Sequence, residues 1–211
     1  MTTLAVYAEI IVSIFAIVDP LGTLPFFVAL TDGFEPADRR LVLQRAVIVL
    51  AAVLTLFALL GRFLFAAFGF TLGAFEIAGG ILLFLVAYDM LQGEMTRTKI
   101  GPRDRDEVVH RRDEVAVVPL GIPLLAGPGA ISTVMIYEGS AGNDPLLIVA
   151  TFVAILITAA ATFVILRFGQ PILRSMGRVG VMAMTRVLGL ILAALGVQFV
   201  INGVAAVLPH L

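Results

Sequence analysis

The chain has 211 residues, of which 60% are hydrophobic and 14% are charged, and its formal net charge is −1. Soluble domains are about 45–50% apolar and about 25% charged, so this apolar excess requires a partly lipid solvent. The balanced charge excludes a basic nucleic-acid surface, and the absence of cysteine excludes disulfides, thiolate metal sites and cysteine nucleophiles.

Six stretches are apolar and long enough to cross a bilayer as helices, which takes about 20 residues each. The predicted spans are Leu4–Leu30, Leu41–Gly61, Phe65–Leu91, Val115–Tyr137, Leu146–Leu166 and Arg186–Leu208. They predict an all-α integral membrane protein. The first span has no basic leader and no small-residue cleavage site, so we interpret it as a membrane helix and not as a signal peptide.

Lysine and arginine are distributed unevenly between the connecting loops. Thirteen of the 14 basic residues lie in or beside the loops after spans one, three and five, and Arg62 lies on the other side. Because basic loops stay in the cytoplasm, this bias predicts that both termini are non-cytoplasmic. It also supports an even number of spans, because one span more or fewer would place basic loops on both sides of the membrane.

Residues 93–114 form a long polar stretch with six basic and six acidic side chains. We interpret this stretch as a charged cytoplasmic loop between a first three-helix repeat at residues 1–92 and a second at residues 115–211. The loop is either a solvated connector or a docking and regulatory segment.

The two halves of the chain resemble each other weakly. Residues 76–83 in span three match residues 186–193 in span six at an offset of 110, and Pro20 matches Pro128 at an offset of 108. A unit of three spans enters the membrane from opposite sides in its two copies. The sequence therefore predicts six transmembrane helices arranged as two inverted three-helix repeats.

Spans one and four are interrupted at corresponding positions. Span one contains Asp19-Pro-Leu-Gly-Thr-Leu-Pro25, and span four contains Pro119-Leu-Gly-Ile-Pro-Leu-Leu-Ala-Gly-Pro-Gly-Ala-Ile-Ser-Thr133. Each proline removes a backbone N–H, so these helices are discontinuous. The freed backbone groups cannot face lipid and must be buried or line a wet cavity. Matched discontinuous spans indicate the substrate site of a transporter.

The ends of the broken helices suit a small zwitterion. A helix that restarts offers N–H groups to a carboxylate, and a helix that stops offers carbonyl groups to an ammonium group. The predicted substrate-binding residues are Asp19, Pro20, Gly22, Thr23, Pro25, Gly127, Pro128, Gly129, Ser132 and Thr133.

Asp19 has an alternative role as the N-cap of the helix that restarts at Pro20. A capping carboxylate would compete with a substrate carboxylate at the same helix end. In that case the second break, which contains no acidic residue, is the better site for the substrate carboxylate.

Asp19 and Glu76 are the two candidates for proton coupling, because a charged side chain at the centre of a span costs about 2.5–3.5 kcal/mol. Glu76 is either a protonatable coupling group or a neutral, hydrogen-bonded residue. Its repeat partner is Arg186, but the two differ in expected depth, so we do not expect them to pair.

Small residues recur at helical spacing in spans three and six, which is typical of close helix packing. The glycines concerned are Gly69, Gly73 and Gly80 in the first half and Gly189, Gly196 and Gly203 in the second. We interpret them as packing residues and not as ligands.

The two break motifs resemble those of a known family. Ile17–Thr31 is similar to the first signature of the MarC family of integral membrane proteins, and Val118–Thr133 is similar to its second signature. The Ile77-Ala-Gly-Gly80 stretch, the charged loop and the six-span layout also agree, so the resemblance covers nearly the whole chain. That family includes SnatA-type transporters of small neutral amino acids such as glycine and alanine, and it looks related to the LysE superfamily of amino-acid exporters.

The resemblance and the zwitterion chemistry together predict a secondary transporter of small neutral amino acids that works by alternating access in the prokaryotic cytoplasmic (inner) membrane. The sequence contains no P-loop, so transport runs downhill or on an ion gradient. We expect no cofactor, metal or nucleic acid; the expected partners are the zwitterion, the bilayer and, as an option, further copies of the chain. The alternatives are an exporter of other metabolites or drugs and a non-transporting scaffold. An enzyme is not expected, because protease and hydrolase motifs are absent.

Overall fold

The computed structural model describes residues 3–31, 33–92, 112–141, 144–174 and 177–207. Within these ranges the secondary structure is helical, with no strand. The helices are α1 (Thr3–Val18), α2 (Pro20–Leu30), α3 (Pro36–Phe68), α4 (Leu72–Gln92), α5 (Pro128–Ala141), α6 (Pro145–Arg174) and α7 (Gly177–Val207). An irregular, wide-turned segment at Ala116–Leu125 precedes α5.

Five helical stretches in the described ranges are long and apolar enough to cross a membrane. They are Ala5–Leu30, Pro36–Phe68, Leu72–Gln92, Pro145–Phe168 and Arg186–Val207. A sixth span results if Arg112–Leu125 and Pro128–Gly139, which meet at an angle of 59°, together cross the bilayer. The all-α membrane fold predicted from the sequence is thus confirmed.

The predicted boundary between spans two and three is wrong. We expected span three to begin at Phe65, but α3 continues to Phe68 and α4 begins at Leu72. Gly69 ends α3 with a left-handed φ of 69°, and its N–H donates to the carbonyl of Phe65 at 2.9 Å. Glycine adopts this conformation without a steric cost, which makes it a common helix terminator.

Each broken span packs mainly against a helix of the other half of the chain. Helices α1 and α2 lie against α6, whereas the irregular segment and α5 lie against α3. Buried apolar side chains such as Ile14, Leu50 and Ile155 fill this part of the core. Many large apolar side chains point outwards instead, as expected for a surface in contact with lipid.

Helices α4 and α7 form an extensive antiparallel pair through a glycine seam, which consists of Gly73, Gly80, Gly196 and Gly203. A Cβ atom on Gly80 would lie 2.5 Å from the carbonyl oxygen of Gly196, and one on Gly196 would lie 2.7 Å from the carbonyl oxygen of Gly80. The predicted packing role of these glycines is confirmed. For Gly69 the prediction is wrong, because Gly69 is the C-cap of α3 and does not lie on the α4 face.

Salt bridges connect the start of the sixth candidate span to α3. Arg112 pairs with Asp38 at 2.8 Å, and Arg45 pairs with Asp113. Arg39 is buried and donates to the carbonyl oxygen of Thr31 at 3.1 Å. Most of the predicted charged loop, at 93–111, lies outside the described residues.

Candidate functional site

The first break is built around Asp19. Pro20 has no N–H to donate to the carbonyl of Ala16, so α1 ends at Val18 and α2 starts at Pro20. Asp19 has a left-handed φ of 44°, and its Oδ1 accepts the Gly22 N–H at 3.0 Å. The alternative role of Asp19 as an N-cap is therefore confirmed.

Gly22 is required by this cap. A Cβ atom at position 22 would overlap Oδ2 of Asp19. Any larger residue there would displace the carboxylate from the start of α2.

The second break is built differently, because among the described residues no side chain accepts a hydrogen bond from the N–H groups at the start of α5. Val118 and Ile122 are extended, with ψ angles of 123° and 127°, because each precedes a proline. The Ile131 N–H donates to the carbonyl of Gly127 at 3.0 Å. The N–H groups of Gly129 and Ala130 have no acceptor in the part of the chain that is described. The start of α5 is thus an open donor site for an anionic group.

Gly127 must be glycine for a steric reason. A Cβ atom there would lie 2.6 Å from the carbonyl oxygen of Pro123. This close approach lets the chain turn from the irregular segment into α5.

The two breaks meet at one cavity of about 460 Å³, a size typical of small-molecule sites. The end of α1 and the start of α5 are adjacent there, since a Cβ on Gly129 would lie 3.4 Å from Cγ2 of Ile17. The lining residues come from both breaks and from α4 and α7: Ala16, Ile17, Val18, Asp19, Gly22, Thr23, Pro25, Phe26, Leu83, Pro123, Leu124, Gly127, Gly129, Ala130, Leu188, Ile191, Leu192, Leu195 and Phe199.

The charge pattern of this cavity is asymmetric. Asp19 supplies a carboxylate on the α1 side, next to the carbonyl end of that helix. Gly129 and Ala130 also line the cavity, and they lie at the start of α5, where the helix dipole is positive. Most of the remaining wall is apolar, so these two polar ends would orient a small ligand.

Six of the ten predicted substrate-binding residues line the cavity, and they belong to both breaks. They are Asp19, Gly22, Thr23, Pro25, Gly127 and Gly129. The four that do not line it are Pro20, Pro128, Ser132 and Thr133.

These four residues have structural contacts instead. Pro20 is buried, and Pro128 packs so closely against Gly79 that a Cβ on Gly79 would overlap its ring. The hydroxyls of Ser132 and Thr133 donate to the carbonyl of Gly129 at 2.9 and 2.8 Å. Hydroxyls inside a helix commonly bond back to the preceding turn in this way.

Glu76 is half-buried on α4 and does not line the cavity. The glycine seam places Arg186 opposite Met90, about 14 residues or roughly 21 Å along α4 from Glu76. As expected, Glu76 and Arg186 therefore do not pair.

Sequence reasoning missed the walls contributed by α4 and α7, which include Leu83, Ile191 and Phe199. Nothing in the sequence separates these apolar residues from those that face lipid. Ala130 was also missed, although it is the second residue after Pro128 and could have been found from the position of the free N–H groups. In the described ranges, no group of three or more His, Asp or Glu side chains is placed to hold a metal ion.

Long apolar helices, outward-facing apolar side chains and a cavity between two broken spans define a multi-pass integral membrane protein. The chain belongs to the MarC family, since the family model described as "MarC family integral membrane protein" matches residues 4–208.

Proteins similar to this chain are found in archaea and bacteria, and they are named UPF0056 membrane proteins. One from Pyrococcus abyssi is 40% identical, covering 97% of this chain and 96% of the relative. YhcE of Escherichia coli is 32% identical, covering 98% and 95%. YvbG of Bacillus subtilis is 31% identical, covering 96% of both. No solved structure matches the chain.

Substitutions of Asp19 separate its capping role from its charge. Asp19→Ala should lower the free energy of unfolding by about 1 kcal/mol, because the cap of α2 is lost. Asp19→Asn should retain nearly all of the stability, since asparagine caps as well as aspartate and tolerates a left-handed φ. Thermal unfolding in detergent, followed by circular dichroism, measures both effects. Equal losses in the two variants would contradict the capping role.

Proposed function

We propose that the protein is a secondary transporter of small neutral amino acids, similar to glycine and alanine, across the prokaryotic cytoplasmic membrane. One observation carries the proposal: a carbonyl end with a carboxylate and an uncapped N–H end face the same cavity. Such a pair of helix ends matches both charges of a zwitterion.

In the proposed binding mode, the substrate carboxylate accepts hydrogen bonds from the N–H groups of Gly129 and Ala130. The ammonium group lies between Asp19 and the last carbonyls of α1. Oδ1 of Asp19 already accepts the Gly22 N–H, which leaves Oδ2 available for the ammonium group. The opposite orientation would place the substrate carboxylate against Asp19 and is disfavoured by repulsion.

The proposed cycle is alternating access between two inverted three-helix repeats. The reciprocal packing supports this arrangement, because α1 and α2 contact α6 in the same manner as the irregular segment and α5 contact α3. The basic residues favour termini on the non-cytoplasmic side. Rocking of one half against the other would open the cavity to each side in turn. No step of this cycle requires an enzymatic reaction.

A second candidate function is export of larger neutral metabolites or drugs. The cavity volume of about 460 Å³ and its mostly apolar wall favour this alternative, since glycine would fill only part of the space. A scaffold has less support, because it would not need two polar helix ends at one cavity.

Uptake by proteoliposomes tests the proposal. Purified protein should give saturable uptake of labelled glycine and alanine, whereas liposomes without protein should give only slow leakage. An excess of unlabelled leucine that blocks glycine uptake would favour the second candidate function. Absence of uptake by correctly inserted protein, with and without a pH gradient, would contradict transport of these amino acids.

If uptake responds to an imposed pH gradient, Asp19 is the expected coupling group, because it lines the cavity and Glu76 does not. Asp19→Asn should therefore abolish the response while Glu76→Gln retains it. The measurement is initial glycine uptake with and without the gradient. A response lost in Glu76→Gln and retained in Asp19→Asn would assign coupling to Glu76 instead.

A further inference from the structure

A second, smaller cavity of about 170 Å³ lies between α3 and α5. Its walls are formed by apolar residues of α3, by Met135 and by three polar elements: Arg62, Glu138 and the backbone at Gly139. The break residues do not take part in it, so this outer cavity is separate from the central one.

Close contacts hold α3 and α5 together around the outer cavity. Met135 packs on Gly61, where a Cβ atom would lie 2.8 Å from the thioether sulfur. The guanidinium group of Arg62 lies against Gly139 so closely that a Cβ there would overlap it. Both charged side chains are therefore held at one helix interface.

The two charges face the cavity without neutralising each other. Oε2 of Glu138 is buried and has no hydrogen-bond partner among the described residues. Arg62 is exposed, and no ion pair joins it to Glu138. Because Arg62 and Glu138 line the same small cavity, a ligand that carries both charges would pair with each of them.

We propose that the outer cavity is a second binding site for a small zwitterionic amino acid. The ammonium group of the ligand would pair with the carboxylate of Glu138, and its carboxylate would accept from the guanidinium group of Arg62. A simple cation would be repelled by Arg62 and a simple anion by Glu138, whereas a zwitterion satisfies both. A cavity of about 170 Å³ suits a small ligand.

This inference rests on the proposed function for the identity of the ligand. Arg62 and Glu138 lie near the ends of α3 and α5 that the proposed topology places outside the cytoplasm. The site would then be the first to meet an external substrate, or the last to release an exported one.

Binding stoichiometry tests the proposal. Labelled glycine is measured by equilibrium dialysis against the purified full-length protein in detergent. Wild type should bind two glycines per chain, and Glu138→Gln and Arg62→Gln should each bind one. Glu9→Gln is the matched control, because Glu9 is an exposed acidic residue on α1 that lines neither cavity, and it should bind two. Each variant is first shown to be folded by circular dichroism.

A variant of the central cavity makes the two proposals separable. Gly129→Val should bind one glycine, and its combination with Glu138→Gln should bind none. A single wild-type site that is lost in Gly129→Val and unchanged in Glu138→Gln would overturn the outer site alone. A single site lost in Glu138→Gln and unchanged in Gly129→Val would overturn the central site alone. No binding by the wild type would overturn both.

Discussion

Gly129→Val should abolish glycine and alanine uptake while leaving membrane insertion intact. Gly129 is the first residue after Pro128 and offers one of the two free N–H groups at the start of α5. A Cβ at this position would be 3.4 Å from Ile17 Cγ2 and 3.8 Å from the ring of Phe199, so the branched valine side chain would occupy the space between them. That space is where the substrate carboxylate is expected.

The expected size of this effect follows from the hydrogen bonds that are lost. A hydrogen bond to a charged group contributes about 1.5–3 kcal/mol, so losing two of them should weaken binding by roughly 100-fold or more. Gly129→Ala is the graded control, since its Cβ makes ordinary van der Waals contacts and should leave measurable uptake. Initial uptake rates in proteoliposomes with matched protein content give the comparison. Wild-type uptake by Gly129→Val would show that the central cavity is not the transport site.

The helical, membrane-spanning character of the fold was predictable because it depends on composition and segment length alone. Hydrophobic residues dominate stretches long enough to span a bilayer, and the structure contains corresponding helices. The end of α3 was not predictable in the same way. The segment around Phe65 and Phe68 is apolar on both sides of Gly69, so hydropathy gives no boundary, and only the left-handed conformation of Gly69 defines it.

The breaks were predictable because proline and glycine act locally on the backbone, whatever surrounds them. The sequence could also indicate that the uncapped second break is the better anion site, since Asp19 has no counterpart there. The roles of Ser132 and Thr133 were not predictable, because a helical hydroxyl can face a ligand or bond back to the preceding turn. The apolar walls from α4 and α7 depend on how these helices rotate, which tertiary packing decides.

Gly80→Leu and Gly196→Leu should strongly destabilise the protein, because the glycine seam brings the α4 and α7 backbones together. A Cβ on either glycine would meet a carbonyl oxygen of the opposite helix. A carbonyl cannot change rotamer as a side chain can, so the helices must move apart. We expect a loss of about 3 kcal/mol in the free energy of unfolding, the upper end of the usual cost of overpacking. Gly80→Ala should lose less.

Matched controls on the same helices are Ala78→Leu and Ala194→Leu, because both alanines are exposed on the outer surface. They add the same side chain without entering the seam and should unfold at nearly the wild-type temperature. Thermal unfolding in detergent by circular dichroism compares the four variants. Since Leu83 of α4 and Phe199 of α7 line the central cavity, the seam variants should also lose glycine binding, and the controls should retain it. If the seam variants are as stable as their controls, the two helices do not need close backbone contact. Packing of apolar side chains alone would then have to position the walls of the cavity.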